Sequence, residues 1–173
     1  MKRLIQFGLL GFAAASAAAH PASHRSLSVA QKAARLNPGQ YVWEARAASS
    51  GPLFLVIDLR AQRALVYRNG VPIAASTIST GRRGRETPTG LFAILQKEVM
   101  HRSRTYDDAP MPYMQRLTWK GVALHGGRLP GYPASHGCIR LPSGFAKLLY
   151  GATRLGTPVM ITDGTGLPIT RRA

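Results

Sequence analysis

One cysteine, Cys138, lies in the run Ser135-His136-Gly137-Cys138-Ile139-Arg140-Leu141, and a second histidine arrives a short loop upstream in Leu124-His125-Gly126-Gly127. A thiol is only a few per cent ionised near pH 7, so a nucleophilic cysteine needs an imidazole to take its proton or to hold the thiolate as an ion pair. His125 and His136 are the two candidates. His136 is two residues from Cys138 and shares its side of an extended chain, whereas a tight turn at Gly137 would separate them. His125 comes from another segment and can approach the sulfur face on, which makes it the better general base and His136 a supporting residue. Gly137 lacks a Cβ, so the backbone can bend sharply there. The amides of Gly137 and Cys138 are then expected to face a developing oxyanion, each such donor being worth about 2.7–4 kcal/mol. Arg140 brings a fixed positive charge that suits a substrate carboxylate or the backbone carbonyls of its own loop. Ser135, at the head of the run, is a second candidate for substrate contact.

Two rival readings use the same residues. His125, His136 and Cys138 are of the types that ligate zinc, but a His-x-Cys pair with one remote histidine is not a common zinc spacing, and no metal or other cofactor is expected. A lone cysteine can also be a small buried apolar residue. Two neighbouring histidines in a chain that reads as exported favour use of the thiol.

The elements that must position this set read as mostly β. The apolar run 53–57 suits a buried strand, and 64–68 follows after a polar turn. Asn69-Gly70 is a type I′ hairpin signal that turns the chain into a third strand over 71–80, with Pro72 confined to its start or to an edge. Thr87-Pro88-Thr89-Gly90 leads into a fourth strand over 91–95. The stretch 98–112, with His101, Tyr106, Asp107 and Asp108, lacks periodicity and is expected to be a long loop, a lid over a substrate groove. Further strands are expected at 114–118, at 122–124 delivering His125, and at 159–161. Ser143 reads as the N-cap of a helix closed by Gly151. Tyr113 and Trp119 read as core or groove-wall aromatics, with Tyr113 also a candidate substrate contact. The expected fold is mainly β, a sandwich or distorted barrel with one or two short helices and its active residues on loops at one end.

The rest of the chain supplies context. Lys2 and Arg3 precede an apolar stretch of about 16 residues ending in Ala17-Ala18-Ala19, too short to span a bilayer and suited to a signal peptide over 1–19. Residues 20–52 read as a short helix, with a capping box at Ser28-Val29-Ala30-Gln31, and a linker. Residues 53–163 read as one catalytic domain and 164–173 as a frayed tail. The formal net charge of +16 favours anionic partners. The arginines are scattered, no nucleic-acid module is legible, and the export signal points to anionic envelope material. A periplasmic or secreted protein with no membrane span after cleavage follows.

The cysteine run with His125-Gly126 resembles the signature of the bacterial L,D-transpeptidase catalytic domain family. Ser79-Thr80-Gly81, Thr87-Pro88-Thr89-Gly90-Leu91-Phe92 and Met111-Pro112-Tyr113 resemble further segments of that family in the same order. The resemblance implies a cysteine acyltransferase of the periplasm that acts on peptidoglycan stem peptides. Cys138 would attack the carbonyl of the third stem residue, a diamino acid, and expel the terminal D-alanine. An amine of a neighbouring stem, an envelope lipoprotein lysine or a free D-amino acid would resolve the thioester, while water would make the protein a carboxypeptidase or hydrolase. His125 would be the base, and the Gly126 carbonyl would orient its ring. The loop from His125 to Ser135 is shorter than is usual in the family, so its path depends on Gly131 and Pro133. A non-catalytic envelope-binding protein is the alternative outside enzymology.

Overall fold

The computed structural model describes residues 27–103, 105–106 and 108–164, so the expected signal peptide, Asp107 and nearly all of the tail lie outside the described residues. Among them, ten strands form two sheets, with two α-helices and one 3-10 turn at Ala45–Ala47.

The first sheet is built on the Asn69-Gly70 turn. Both residues have positive φ, 49° and 77°, and they join β3 (Arg63–Arg68) to β4 (Val71–Thr77). β2 (Leu53–Asp58) pairs antiparallel with β3, and β10 (Pro158–Thr162) pairs parallel with β2 and antiparallel with β5 (Gly90–Ala93). Leu55, Ile57, Ala64, Val66, Val159 and Ile161 share one face and are buried in the main core. Burial of each large aliphatic side chain there contributes about 1.5–3 kcal/mol. β4 is internal from Ala74 on, where β1 (Tyr41–Trp43) pairs with it; Pro72 lies beyond the end of β1, where its missing N–H costs no ladder bond.

Residues 41–43, within the stretch read as helix and linker, are therefore a strand of this sheet. α1 (Val29–Ala33) opens with the Ser28–Gln31 capping box and lays Val29 and Ala33 on Ala75, Val42 and Leu65 of the sheet's outer face.

The second sheet has the order β6-β7-β8-β9 and carries the cysteine run. Here the expectation of a long loop at 98–112 is overturned. β6 (Gln96–Arg102) and β7 (Pro110–Arg116) form a hairpin over most of that stretch, and only its tip is irregular. The alternation is hidden because β6 is an edge strand with exposed Val99 and Met100, and because Tyr113, at φ 58°, interrupts the ladder. β8 (Ala123–Gly126) pairs parallel with β9 (Ile139–Leu141).

α2 (Ser143–Ala152) buries Phe145, Ala146 and Leu149 between the sheets, with the Tyr41 and Trp43 rings 5.6 and 5.5 Å from that of Phe145. Its N-cap is Pro142 rather than Ser143, and it runs one residue past Gly151 to a C-cap at Thr153, so the capping expected is displaced by one position at the start and two at the end. Lys97 ties β6 to the end of α2, its Nζ donating to the carbonyls of Tyr150 and Thr153 at 2.6 Å each.

Candidate active site

Register places the chemistry. In the β8–β9 pair, Leu124 opposes Ile139, both buried in the core, while His125 opposes Arg140 on the other face. Cys138, one residue before Ile139, packs on that other face against Met111, Met114 and Ala123. The parallel strands thus bring His125, Cys138 and Arg140 together from two segments.

The Nδ1 of His125 donates to the Gly126 carbonyl at 2.9 Å, which fixes the tautomer and leaves Nε2 as the proton acceptor. Burial holds His125 below the ordinary imidazole value against that bond, and the charges of Arg140 and His101 add to the fall. Burial also pushes the Cys138 thiol up, offset in part by the Ala123 amide and by Arg140 and Arg116. The half-buried thiol donates to the Gly121 carbonyl at 3.4 Å. Both directions favour the neutral groups, a thiol and an imidazole, between which the proton moves as the sulfur attacks.

The cysteine loop is held by buried hydroxyls. Ser79 exchanges backbone hydrogen bonds with Arg140, and its hydroxyl donates to the Tyr132 carbonyl at 2.7 Å. The Thr80 carbonyl accepts from the amides of Ala134 and Ser135, which sets the path of the short loop through Gly131, at φ 97°. Thr87 Oγ1 accepts from the Gly81 amide and donates to the Gly137 carbonyl, each at 2.9 Å. Gly81 admits nothing larger, because a Cβ there would lie 2.0 Å from the Arg85 carbonyl oxygen. Gly137 has φ 114°, a conformation that side chains resist, and this is the sharp bend expected of it.

Three assignments change. The Gly137 amide does not face open space as an oxyanion donor, since it donates to Ser135 Oγ at 3.1 Å. Ser135, only 2% exposed, donates in turn to the Cys138 carbonyl at 2.5 Å, so it braces the loop instead of meeting substrate. Tyr113 turns toward the core and the Tyr150 ring, 6.0 Å away, and is not brought to the cysteine. His136 is exposed, stacked on Tyr106 at 4.4 Å, with Arg82 Nη2 3.2 Å from its Nε2. Some loss of hydration and the charges of Arg82, Arg85 and Arg140 hold it below the ordinary imidazole value. Arg140 also packs its stem along Gly127, its Cγ and Cδ 3.4 Å from where a Cβ would stand. Among the described residues, no three His, Cys, Asp or Glu side chains form a metal-binding group.

With the cysteine and its histidine on one sheet face, the sequence profile of the YkuD family, the L,D-transpeptidase catalytic domain, matches residues 52–161. The chain belongs to that family. Solved structures agree. An L,D-transpeptidase from Stackebrandtia nassauensis is 28% identical with a TM-score of 0.60, over 66% of this chain and 57% of that one. One from Mycobacterium smegmatis is 27% identical with a TM-score of 0.59, over 65% and 59%. L,D-transpeptidase 3 from Mycobacterium tuberculosis, solved with a faropenem-derived adduct, is 25% identical with a TM-score of 0.58, over 64% and 60%. The match thus spans less than two thirds of each of these family members. No curated protein sequence matches the chain.

Thr87, Ser79 and Thr80 carry the loop yet drew no role from sequence reasoning. Their signal was available, because three hydroxyl residues in motif segments that flank strands are candidates for buried bracing. Gln96, Glu98 and Arg116 were also missed, because only the β6–β7 register turns them toward the site.

Proposed function

We propose that the protein is an envelope L,D-transpeptidase that forms a thioester between Cys138 and a peptidoglycan stem peptide and transfers the acyl group to an amine. The carrying observation is the pairing of β8 with β9, which sets Cys138 and the tautomer-fixed His125 on one face inside a domain that matches the family. As Sγ attacks the carbonyl of the third stem residue, His125 Nε2 takes the thiol proton and then delivers it to the departing D-alanine nitrogen. The Cys138 amide is the donor that this run offers to the oxyanion, now that Gly137 is committed to Ser135. Arg82, Arg85 and Arg140 supply positive charge beside the loop for the carboxylates of the stem. The acceptor is an amine of a second stem, a lipoprotein lysine or a D-amino acid. Placement in the periplasm rests on the signal read at 1–19, and the net charge of +16 favours an anionic wall. The faropenem adduct of the tuberculosis protein extends the proposal to acylation of Cys138 by penems.

Product analysis by mass spectrometry of purified stem tetrapeptides tests this. The wild type should release D-alanine and form a new peptide linkage that Cys138→Ala does not form. Trimmed tripeptides without coupling would make the protein a carboxypeptidase, and unchanged stems would favour a binding protein.

A further inference from the structure

A chain of polar side chains on the Cys138 face of the second sheet has no part in the steps above. Arg116 Nε donates to Gln96 Oε1 at 2.7 Å, and Gln96 Nε2 donates to Glu98 Oε1 at 2.5 Å. The other oxygen of Glu98 meets His101 Nδ1 at 2.6 Å. Register assigns the face: Gln96 opposes Arg116, Arg116 opposes Ala123, and Ala123 precedes His125 by two. Glu98 and His101 are three residues apart, a spacing that strict alternation splits between faces. The ladder lacks a Val99–Tyr113 pair where Tyr113 has φ 58°, and the two side chains meet.

Both ends of the chain act on the reacting groups through their charge. His101 opposes Met111, which packs in one cluster with Cys138, and once protonated its charge bears on His125. The charge of Arg116 bears on Cys138. The side chains of His101 and Glu98 are 15% and 37% exposed, so a solute can reach them.

Proton accounting gives this pair a task. In acylation His125 passes the thiol proton to the leaving amine and ends neutral. An acceptor amine arrives at neutral pH as an ammonium ion, with one proton more than His125 can relay. Resting on the transpeptidase reading, we propose that Glu98 and His101 form the acceptor-amine site, in which the carboxylate attracts the ammonium and His101 Nε2 removes its first proton. The neutral amine attacks the thioester carbonyl, the C–N bond forms and the C–S bond breaks. The second proton passes through His125 to Sγ, and His101 returns the first to solvent. Water brings no surplus proton, so hydrolysis does not need the pair. Glu98 on β6 bonds His101 directly, and the titratable and charged groups that share this face are Arg116 on β7, His125 on β8, and Cys138 and Arg140 at β9.

The test uses the full chain with a stem tetrapeptide as donor and three nucleophiles, D-methionine, hydroxylamine and water, with products counted by mass spectrometry. Near pH 7, His101→Gln should lower transfer to D-methionine about a hundredfold or more relative to hydrolysis, the low end of the effect of a general base. The deficit should shrink as pH rises toward 10 and the amine loses its proton in solution. Transfer to hydroxylamine, already uncharged at pH 7, should change less than threefold. Glu98→Gln, isosteric and at an exposed carboxylate, should give the same pattern and serves if His101→Gln does not fold. An unchanged ratio of transfer to hydrolysis overturns the proposal, as does an equal loss for both nucleophiles at every pH. A wild type that forms no thioester overturns the transpeptidase reading itself, a separate result.

Discussion

Thr87 offers the clearest test of how the fold holds the cysteine loop. The residue is 5% exposed and its hydroxyl joins the Gly81 amide to the Gly137 carbonyl, so it ties the Ser79-Thr80-Gly81 segment to the residue before the nucleophile. Thr87→Val keeps the shape and leaves both backbone groups without that partner. Each buried group left unpaired costs about 1–3 kcal/mol, so the pair should cost about 2–4 kcal/mol once a small shift recovers part of it. For a domain of this size that is a fall in Tm of roughly 4–16 °C, at about 2–4 °C per kcal/mol. Thr87→Ser keeps the hydroxyl and loses one methyl, worth about 1 kcal/mol. Thermal unfolding of the three proteins gives the comparison, and acylation of Cys138 well below Tm should slow about tenfold or more in the valine variant alone, because the loop positions the sulfur. A valine variant that melts with the wild type, or a serine variant that falls as far, refutes the bridging role.

Four further outcomes follow from the site. His125→Gln should slow acylation of Cys138 by about 10²–10⁴-fold, the range of a lost general base, while His136→Ala should slow it by about tenfold or less; stopped-flow acylation by a penem separates the two. Iodoacetamide alkylation of Cys138 should rise with pH to a midpoint above the ordinary thiol value of 9.0, and a plateau at pH 6–7 would show a resting thiolate instead. Because the fold holds His125 below its ordinary value of 6.5, the unfolded chain binds the proton first, so stability should fall as pH drops below 6.5. Tm measured across that window should fall less steeply in His125→Asn. Gly137→Ala forces a Cβ onto φ 114°, at a cost of about 1–3 kcal/mol, and denaturant unfolding together with a loss of acylation should report it.

The cysteine run, His125 and the strands at 53–57 and 64–68 were legible because each depends on local signals: residue type, short spacing, and apolar runs ended by turn residues. Asn69-Gly70 was legible for the same reason, since positive φ at both positions is a local demand. Long-range pairing was not. The β6–β7 hairpin has an exposed edge and a left-handed Tyr113 in place of clean alternation, so it reads as a loop until its partner strand is in place. Ser135 looked like a substrate contact because its motif is local, whereas its bond to the Cys138 carbonyl depends on the loop being folded. No acidic residue lies beside the cysteine in sequence, yet Glu98 joins its face through the β6–β7 register, opposite Met114.

The most direct test is the intact mass of the protein after brief mixing with a stem tetrapeptide, followed by peptide mapping. A cysteine transpeptidase gives an adduct equal to the stem less its terminal D-alanine, located on Cys138, absent from Cys138→Ala, and discharged by an added amine with formation of a new amide. Unmodified protein with intact stems, or an adduct on any residue other than Cys138, contradicts that assignment.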